Sequence, residues 1–291
     1  MNRPISSNGA ALAVIFSLCL PLTSQNLLKR QRLGNNAEDL EYIPSGPYAN
    51  QFAILDGADV IGVPAGGHGR GAVHKLFDVK KLPLSQPPRG IGYIESERLF
   101  VFNDPLTDPS QLILSDERGN PAGTRTVQFP AGQIATHAEA IAYIRRGSPY
   151  FPDHLAEVVY DDSDVQHIEI IRRDGKVVAD IVPDSAVQDL FAAGLAFIAP
   201  DRFMVGTLGN VFLVDLHGHV VKGPVPLGFD SFEGVGQTPD GRLVATGYNS
   251  GTVFYFDRNL NRLPADDQSY KPASVSPGRP RSHGIQPPAN S

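Results

Sequence analysis

The chain has 291 residues, of which 41% are hydrophobic and 19% charged, and its formal net charge is −6 at pH 7. This length and apolar content allow a buried core, either in one large all-β domain or in two domains of average size. The negative charge argues against nucleic acid as a partner, because affinity for a phosphate backbone depends on clustered Lys and Arg. The net negative charge favours cations over polyanions as ligands.

An apolar run of 13 residues, AALAVIFSLCLPL at positions 10–22, follows a short segment whose only charged residue is Arg3. The run is shorter than the roughly 20 residues that span a bilayer, and polar residues follow it. We therefore predict a signal peptide over residues 1–25 and a polar leader over 26–42, so that the protein is secreted or periplasmic. A buried helix or strand is the alternative. The run contains the only cysteine, Cys19, so we expect no disulfide in the folded part.

Five later segments share one opening pattern: a variable residue, a small residue in most copies, an apolar residue, Gly or Ala, and then usually an aromatic residue and Ile. They are NQFAIL at 50, RGIGYI at 89, EAIAYI at 139, AGLAFI at 193 and EGVGQT at 233. Subtracting these numbers gives start-to-start intervals of 39, 50, 54 and 40 residues. Second and third short runs of β-branched or aromatic residues follow each opening, and turn residues separate them, which is typical of strands and hairpins.

Repeats of about 40 to 50 residues with four strands each are the sequence signature of a β-propeller, in which each blade is a small antiparallel sheet. We predict an all-β fold, a β-propeller of five or six four-stranded blades, over residues 43–264. A sixth blade would combine residues 41–48 with residues after 263, and a solenoid is the alternative fold. The Pro- and Ser-rich segment 265–291 is predicted to be a disordered tail.

The last copy, FEGVGQTPDGRLVATGYNSGTVFYFD at 232–257, resembles a blade of the six-bladed calcium-dependent propellers of the SMP-30, gluconolactonase and strictosidine-synthase-like group, and is similar to NHL blades. The resemblance implies a divalent cation on the axis, held by side chains at the starts of innermost strands, and an acidic residue that assists lactone hydrolysis. This chain departs from the family pattern at two points. Its Glu-Gly-Val turn lies in the last copy, and no Asp opens a strand.

On this resemblance, the expected metal ligands are Glu139, Glu233 and Asn50 at strand openings, with Asn103 at the rim after a second strand. Such hard oxygen donors suit Ca²⁺, and another divalent cation is not excluded. The alternative is that Glu139 and Glu233 pair with Arg89 or accept backbone N–H bonds across the channel.

Two residues are candidates for acid or base catalysis. Asp161 directly follows the apolar strand EVVY and would lie at the channel rim, although Asp at this position also caps turns. His137 precedes Glu139 by two residues and would act as a general base beside a carboxylate, whereas an isolated loop histidine is usually solvated.

Three functions remain compatible with the sequence. The first is a metal-dependent hydrolase of lactones or related esters, the second a noncatalytic propeller that binds a protein or small ligand, and the third a lyase or synthase on the same scaffold. A hydrolase predicts a ligand set around one point and an open pocket, whereas a binding module predicts a blocked or ion-paired channel. No partner other than a small molecule or a protein is expected: neither nucleic acid nor a membrane span, and the oligomeric state stays open.

Overall fold

The computed structural model describes residues 37–66, 73–104, 110–131, 137–247 and 252–269. The predicted signal peptide and most of the predicted tail lie outside these residues, so the secreted or periplasmic location stays a prediction. Within the described residues, no helix is both long enough and apolar enough to cross a membrane.

The first three blades are four-stranded antiparallel sheets whose strands follow one another in sequence. Blade 1 contains β1 (Ala37–Ile43), β2 (Gln51–Asp56), β3 (Asp59–Pro64) and β4 (His74–Asp78). Blade 2 contains β5 (Ile91–Ile94), β6 (Leu99–Asp104), β7 (Gln111–Ser115) and β8 (Pro121–Thr126). Blade 3 contains β9 (His137–Ile144), β10 (His154–Tyr160), β11 (Gln166–Ile171) and β12 (Val177–Ile181). A short helix, α1 (Ser185–Gln188), follows blade 3.

Blades 4 and 5 share two long strands. The remaining strands are β13 (Ala192–Ile198), β14 (Arg202–Asp215), β15 (Val220–Gln237), β16 (Leu243–Gly247), β17 (Thr252–Phe256) and β18 (Gln268–Ser269), with a 3-10 turn at Pro264–Asp266. β14 pairs with β13 through residues 202–207 and with β15 through 208–214, and Gly209 has a φ of 75° between the two halves. β15 pairs with β14 in blade 4, and from residue 232 it pairs with β16 as the innermost strand of blade 5.

The structure therefore confirms an all-β propeller and has five blades, so the six-bladed ring of the resembled family is wrong for this chain. Residues 41–43, which we expected in a sixth blade, belong to β1 of blade 1. Since β1 starts at Ala37, the propeller begins six residues before the predicted boundary at residue 43, and β18 extends it beyond residue 264 to Ser269.

The innermost strand of blade 1 is β1 and not the segment at Asn50, which opens β2. The correct opening is EDLEYI at 38, in the same phase as EAIAYI at 139. This segment was not recognised as a copy of the repeat because it carries Asp39 and Glu41 where the other innermost strands carry Gly or Ala. The small residues at those positions are Gly90 and Gly92, Ala140 and Ala142, Gly194 and Ala196, and Gly234 and Gly236.

These small residues leave the space that the backbone of the next blade occupies near the axis. A Cβ on Gly234 would lie 2.7 Å from Leu40 Cβ and 2.8 Å from the carbonyl carbon of Asp39. A Cβ on Gly90 would lie 2.7 Å from the amide nitrogen of Ile141. Such distances are shorter than van der Waals contact, so the innermost strands approach one another too closely for larger side chains.

The carboxyl of Asp39 joins the innermost strands of three blades. Its Oδ1 accepts the amide of Leu40 at 2.8 Å, and its Oδ2 accepts the amides of Ile91 at 2.9 Å and Ile141 at 3.2 Å. The side chain is fully buried, and burial raises the pKa of Asp39 well above its ordinary value. Asp39 thus satisfies amides on strand edges that no neighbouring strand pairs, since unpaired buried amides are costly.

Blades 5 and 1 close the ring by side-chain packing. Leu40, Tyr42 and Phe52 of blade 1 form one buried cluster with Val244 and Tyr255 of blade 5. In the described chain each blade is built from strands that are consecutive in sequence, so no strand is exchanged between the first and last blades.

We expect Asp39→Asn to lower the melting temperature. An Asn side chain has one acceptor oxygen, so either the amide of Leu40 or those of Ile91 and Ile141 would face an NH₂ group. A buried amide without a partner costs ~1–3 kcal/mol, which for a domain of this size is a Tm decrease of about 2–10 °C in thermal melting. The control is Asp201→Asn in the β13–β14 turn, whose side chain is 44% exposed. An unchanged Tm in the Asp39 variant would contradict the role of this carboxyl.

Candidate functional site

The starts of the innermost strands bring one basic and three acidic side chains to one mouth of the axis, termed the Arg89 mouth: Glu38, Arg89, Glu139 and Glu233. The guanidinium Nη1 of Arg89 donates to Glu38 Oε2 at 2.6 Å, and both side chains are largely buried. Burial by itself lowers the pKa of Arg89, but the charges of Glu139, Glu38 and Glu233 raise it above its ordinary value. Arg89 is therefore the positive charge of this mouth.

Two carboxyl groups of the Arg89 mouth, those of Glu38 and Glu139, bind protons more tightly than carboxyls in water. Burial raises the pKa of Glu139 to about 8, although Arg89 opposes this shift. Burial also raises the pKa of Glu38, which shares a side-chain hydrogen bond with Glu233. One guanidinium does not neutralise three carboxylates, so protonation removes part of the remaining negative charge.

Asn103 positions the opening residues of blades 2 and 3. Its Oδ1 accepts the amides of Arg89 at 3.0 Å and Gly90 at 2.7 Å, and its Nδ2 donates to the carbonyl oxygen of Glu139 at 3.1 Å. The side chain is fully buried. Its role as a metal ligand stays a prediction, and these backbone bonds give it another role, which is to hold Arg89 and Glu139 at the mouth.

His137 lies beside this mouth in an aromatic stack. Its ring is parallel to that of Tyr160, with ring centroids 4.4 Å apart, and the ring of Phe191 stacks with both, 5.1 Å from Tyr160 and 6.4 Å from His137. His137 Nε2 lies 3.8 Å from Glu139 Oε1. Burial lowers the pKa of His137 to about 4, so the ring is neutral at pH 7 and is a weak base there. The general-base role stays a prediction that this environment does not favour.

The other two predicted site residues do not join the cluster. Asp161 accepts the amides of Ser163 and Val165, both at 2.8 Å, within its own turn, as the turn-capping alternative expects. Asn50 lies in the β1–β2 turn with a φ of 63°, and its Oδ1 accepts the hydroxyl of Tyr42 at 3.0 Å. The expected axial position of Asn50 is wrong, because this turn is at the opposite end of β1 from Glu38.

The donors at the Arg89 mouth do not fit a calcium ion. Calcium takes six to eight oxygen ligands, whereas here a guanidinium lies among the carboxylates and is hydrogen-bonded to one of them. Across the described segments, no group of three or more His, Cys, Asp or Glu side chains has an arrangement suited to a metal. Calcium binding stays a prediction, and the position of Arg89 counts against it.

The opposite mouth of the axis opens into a cavity of about 450 Å³, termed the Arg145 pocket. The ends of the innermost strands of blades 1, 3, 4 and 5 line it. Its lining includes Glu41, Tyr42, Arg145, Gly147, Phe197 and Gln237. None of the residues that the sequence predicted for the site lines this pocket. The signal that could have found it is the EDLEYI segment, whose acidic residues Asp39 and Glu41 occupy positions that are small in the other copies.

Glu41 is the acidic group of the Arg145 pocket. Its Oε1 accepts the amide of Tyr42 at 2.9 Å, its Oε2 accepts the amide of Tyr143 at 3.4 Å, and Arg145 Nη2 lies 3.8 Å from Oε1. The Glu41 side chain is 12% exposed. Burial raises the pKa of Glu41 to about 7, with the charge of Arg145 opposing the shift. Glu41 therefore changes charge near neutral pH.

The inner edges of blades 4 and 5 face this pocket. The amide of Thr238 donates to the carbonyl oxygen of Arg242, on the side of β16, at 2.9 Å. Since amides alternate in direction along a strand, those of Val235 and Gln237 point to the axis. In β13 the equivalent positions are Leu195 and Phe197, and all four residues line the pocket. The equivalent residues of blades 1 to 3 include those whose amides bind Asp39 and Glu41. The pocket therefore lies beside the strand edges to which no carboxyl group is bonded among the described residues.

No family model matches the chain, and no curated protein matches it. Among solved structures it is similar to a gluconolactonase from Xanthomonas campestris, with 16% identity and a TM-score of 0.49 over 79% of this chain and 76% of that one. It is also similar to the WD40 β-propeller domain of Doa1, with 14% identity and a TM-score of 0.44 over 80% and 84% of the two chains. A protein of unknown function from Bacteroides caccae shows 10% identity and a TM-score of 0.44 over 73% and 67%.

These likenesses concern the fold alone, and propellers of one architecture have unrelated functions. The assignment of the fold rests on the strand order of this chain. Membership of the SMP-30 and gluconolactonase group stays a prediction, as does lactone hydrolysis.

We expect neither calcium nor a chelator to change the Tm, because Arg89 already supplies the positive charge among the carboxylates. Thermal melting of metal-free protein with and without millimolar calcium checks this expectation. An ion that binds only the folded chain raises the Tm. Arg89→Ala is the informative variant, because it leaves three carboxyls without their cation. A calcium-dependent increase in the Tm of the wild-type protein would show that the axial metal site exists after all.

We expect the free energy of unfolding to fall as the pH rises from about 4.5 to about 8, partly through Glu157 on β10. Burial raises the pKa of this carboxyl from 4.5 to about 8. A carboxyl with a higher pKa in the folded chain stabilises the fold while protonated, and this contribution, ~1.4 kcal/mol per pKa unit, is lost as the pH passes the folded value. Denaturant unfolding at several pH values should show a shallower decrease for Glu157→Gln. The exposed control Glu95→Gln should keep the wild-type slope, and an equal slope in all three proteins would refute the assignment.

Proposed function

We propose that this chain is a noncatalytic β-propeller that binds a small ligand in the Arg145 pocket. The observation that carries the proposal is the set of strand edges at this mouth. Leu195, Phe197, Val235 and Gln237 direct backbone hydrogen-bonding groups into a cavity of about 450 Å³. A ligand that pairs with these groups would satisfy them in place of water.

The closed state of the other mouth supports this choice. Arg89 and Glu38 form a buried ion pair there, and Asn103 holds the backbone around it. Between the two mouths the carboxyl of Asp39 bridges three innermost strands on the axis. A blocked and ion-paired channel is what the sequence led us to expect of a binding module.

The composition of the Arg145 pocket also suits a binding site. Tyr42, Leu195, Phe197 and Val235 give it apolar and aromatic walls, and few charged groups reach it. Small-molecule sites are usually concave and mostly apolar, with a small number of polar groups that orient the ligand. Glu41 and Arg145 are such groups here.

Metal-dependent hydrolysis of lactones stays the alternative. It would need a cation at the Arg89 mouth and a base near it, and the expected ligand Asn50 lies at the other end of β1. A lactone panel assayed with and without calcium tests this alternative, and turnover that Glu139→Gln abolishes would favour it over the binding module.

We expect Gly147→Trp to abolish ligand binding without unfolding the protein. Gly147 lines the pocket, and a Cβ added there meets no heavy atom within 4 Å, so a large side chain can extend over the mouth. Gly66→Trp is the matched control, because Gly66 has the same open surroundings and does not line this pocket. The measurement is ligand-observed NMR with a fragment library, comparing hits of the wild type with those of both variants.

Fragments that bind the wild type and Gly66→Trp, but not Gly147→Trp, would support the pocket as the ligand site. A library without any hit, or hits that Gly147→Trp retains, would overturn the proposal.

A further inference from the structure

We propose that the ligand of the Arg145 pocket carries an ammonium group, which binds to the carboxylate of Glu41. This inference rests on the proposed function and adds the chemical class of the ligand. It follows from the charges, the backbone carbonyls and the aromatic side chains that surround the pocket.

The charge around Glu41 is only partly balanced. Among the described residues its salt-bridge partner is Arg145, at 3.8 Å, which is beyond hydrogen-bond distance. Arg145 is 39% exposed and has other contacts: Nη2 donates to the carbonyl of Tyr42 at 3.2 Å, and Nη1 lies 3.8 Å from Glu95. The carboxylate of Glu41 accepts the backbone amides of Tyr42, Tyr143 and Tyr93, but no cation lies within hydrogen-bond distance of it among the described residues. An ammonium group in the pocket can approach Glu41 more closely than Arg145 does.

The backbone of the pocket offers acceptors that a donor group can use beside Glu41. A residue of an edge strand turns its C=O to the same side as its N–H, so the carbonyls of Phe197 and Gln237 face the pocket together with their amides. An ammonium group has three donors and no acceptor, and can therefore bond Glu41 and two such carbonyls at once. An anion at the same place could accept bonds from the amides of these residues, but the carboxylate of Glu41 would repel it.

Aromatic side chains add to the attraction for a cation. Tyr42, Tyr143 and Phe197 line the pocket. The guanidinium of Arg145 already lies over the ring of Tyr42, 5.2 Å from its centroid, which shows that a cation can use this wall. Cation–π contacts of this kind contribute more when the site is shielded from water.

Binding of an ammonium group requires Glu41 to be ionised, so affinity should rise with pH. The groups that face Glu41 are Arg145 and Tyr143 from blade 3, Tyr93 from blade 2 and Asp39 on its own strand, with Glu95 beyond Arg145. Burial raises the pKa of Glu41 to about 7. The ionised fraction then grows nearly tenfold between pH 6 and pH 8, and the affinity for a permanently protonated amine should grow by about the same factor.

The test uses three probes of similar size: benzylamine, benzyl alcohol and benzoate. Their affinities for the full chain are measured by NMR titration at pH 6, 7 and 8. We expect benzylamine to bind most tightly and to gain about tenfold in affinity over this range. Glu41→Gln keeps an acceptor oxygen for the amide of Tyr143, and should lose at least about tenfold in affinity and the pH dependence. The control Asp174→Asn, at an exposed position in the β11–β12 turn, should keep both.

The outcomes separate this inference from the proposed function. Benzoate binding more tightly than benzylamine, or benzylamine affinity that is flat or falls with pH, would overturn the ammonium assignment, whereas binding that Gly147→Trp blocks would keep the pocket as the site. Binding that survives Gly147→Trp would overturn both. If Glu41→Gln does not fold, Arg145→Gln decides, because removing the competing cation should tighten benzylamine binding. Unchanged or weaker binding by that variant would also overturn the assignment.

Discussion

The fold depends on how the unpaired inner edges of the innermost strands are satisfied. Each blade ends at the axis in a strand with no partner on that side, and water has little access there. Asp39 resolves this for three blades with one carboxyl, which accepts amides from β1, β5 and β9. The close approach this requires explains why Gly or Ala stands next to the axis in the other blades, since a larger side chain would separate the strands that Asp39 joins.

The two mouths differ because a single blade supplies the carboxyls that bind the inner strand edges. Asp39 and Glu41 both reach toward blades 2 and 3, so blades 4 and 5 keep open edges on the other side of the axis. At the strand starts, Glu38 and Arg89 close the ring with an ion pair. At the strand ends Glu41 and Arg145 lie 3.8 Å apart, which is beyond hydrogen-bond distance, and the space beside them is the Arg145 pocket. Its position is thus a consequence of the packing that stabilises the rest of the propeller.

The blades could be predicted from the sequence because strand length and turn residues are local properties. The runs after Arg89, Glu139, Ala193 and Glu233 all form the expected strands. β1 was missed because its acidic residues break the small-residue pattern, and with it Glu38, Asp39 and Glu41. The proximity of Glu139, Glu233 and Arg89 was anticipated because all three open innermost strands. The role of Asn103 in holding the backbone was not anticipated. Its bonds to the backbone of two blades depend on distances through space, which spacing along the chain does not report.

The uneven origin of the axial carboxyls limits how symmetric this molecule can be. A ring assembled from five identical copies of one of its blades would carry carboxyls at the positions of Asp39 and Glu41 in every blade, which makes ten, or in none. The first case concentrates charge where there is no room for counterions, and the second leaves five rows of amides without acceptors. A designer who averaged the repeats into a consensus would remove the residues that hold the ring together. A difference in sequence between one blade and the others is therefore a structural requirement of this architecture.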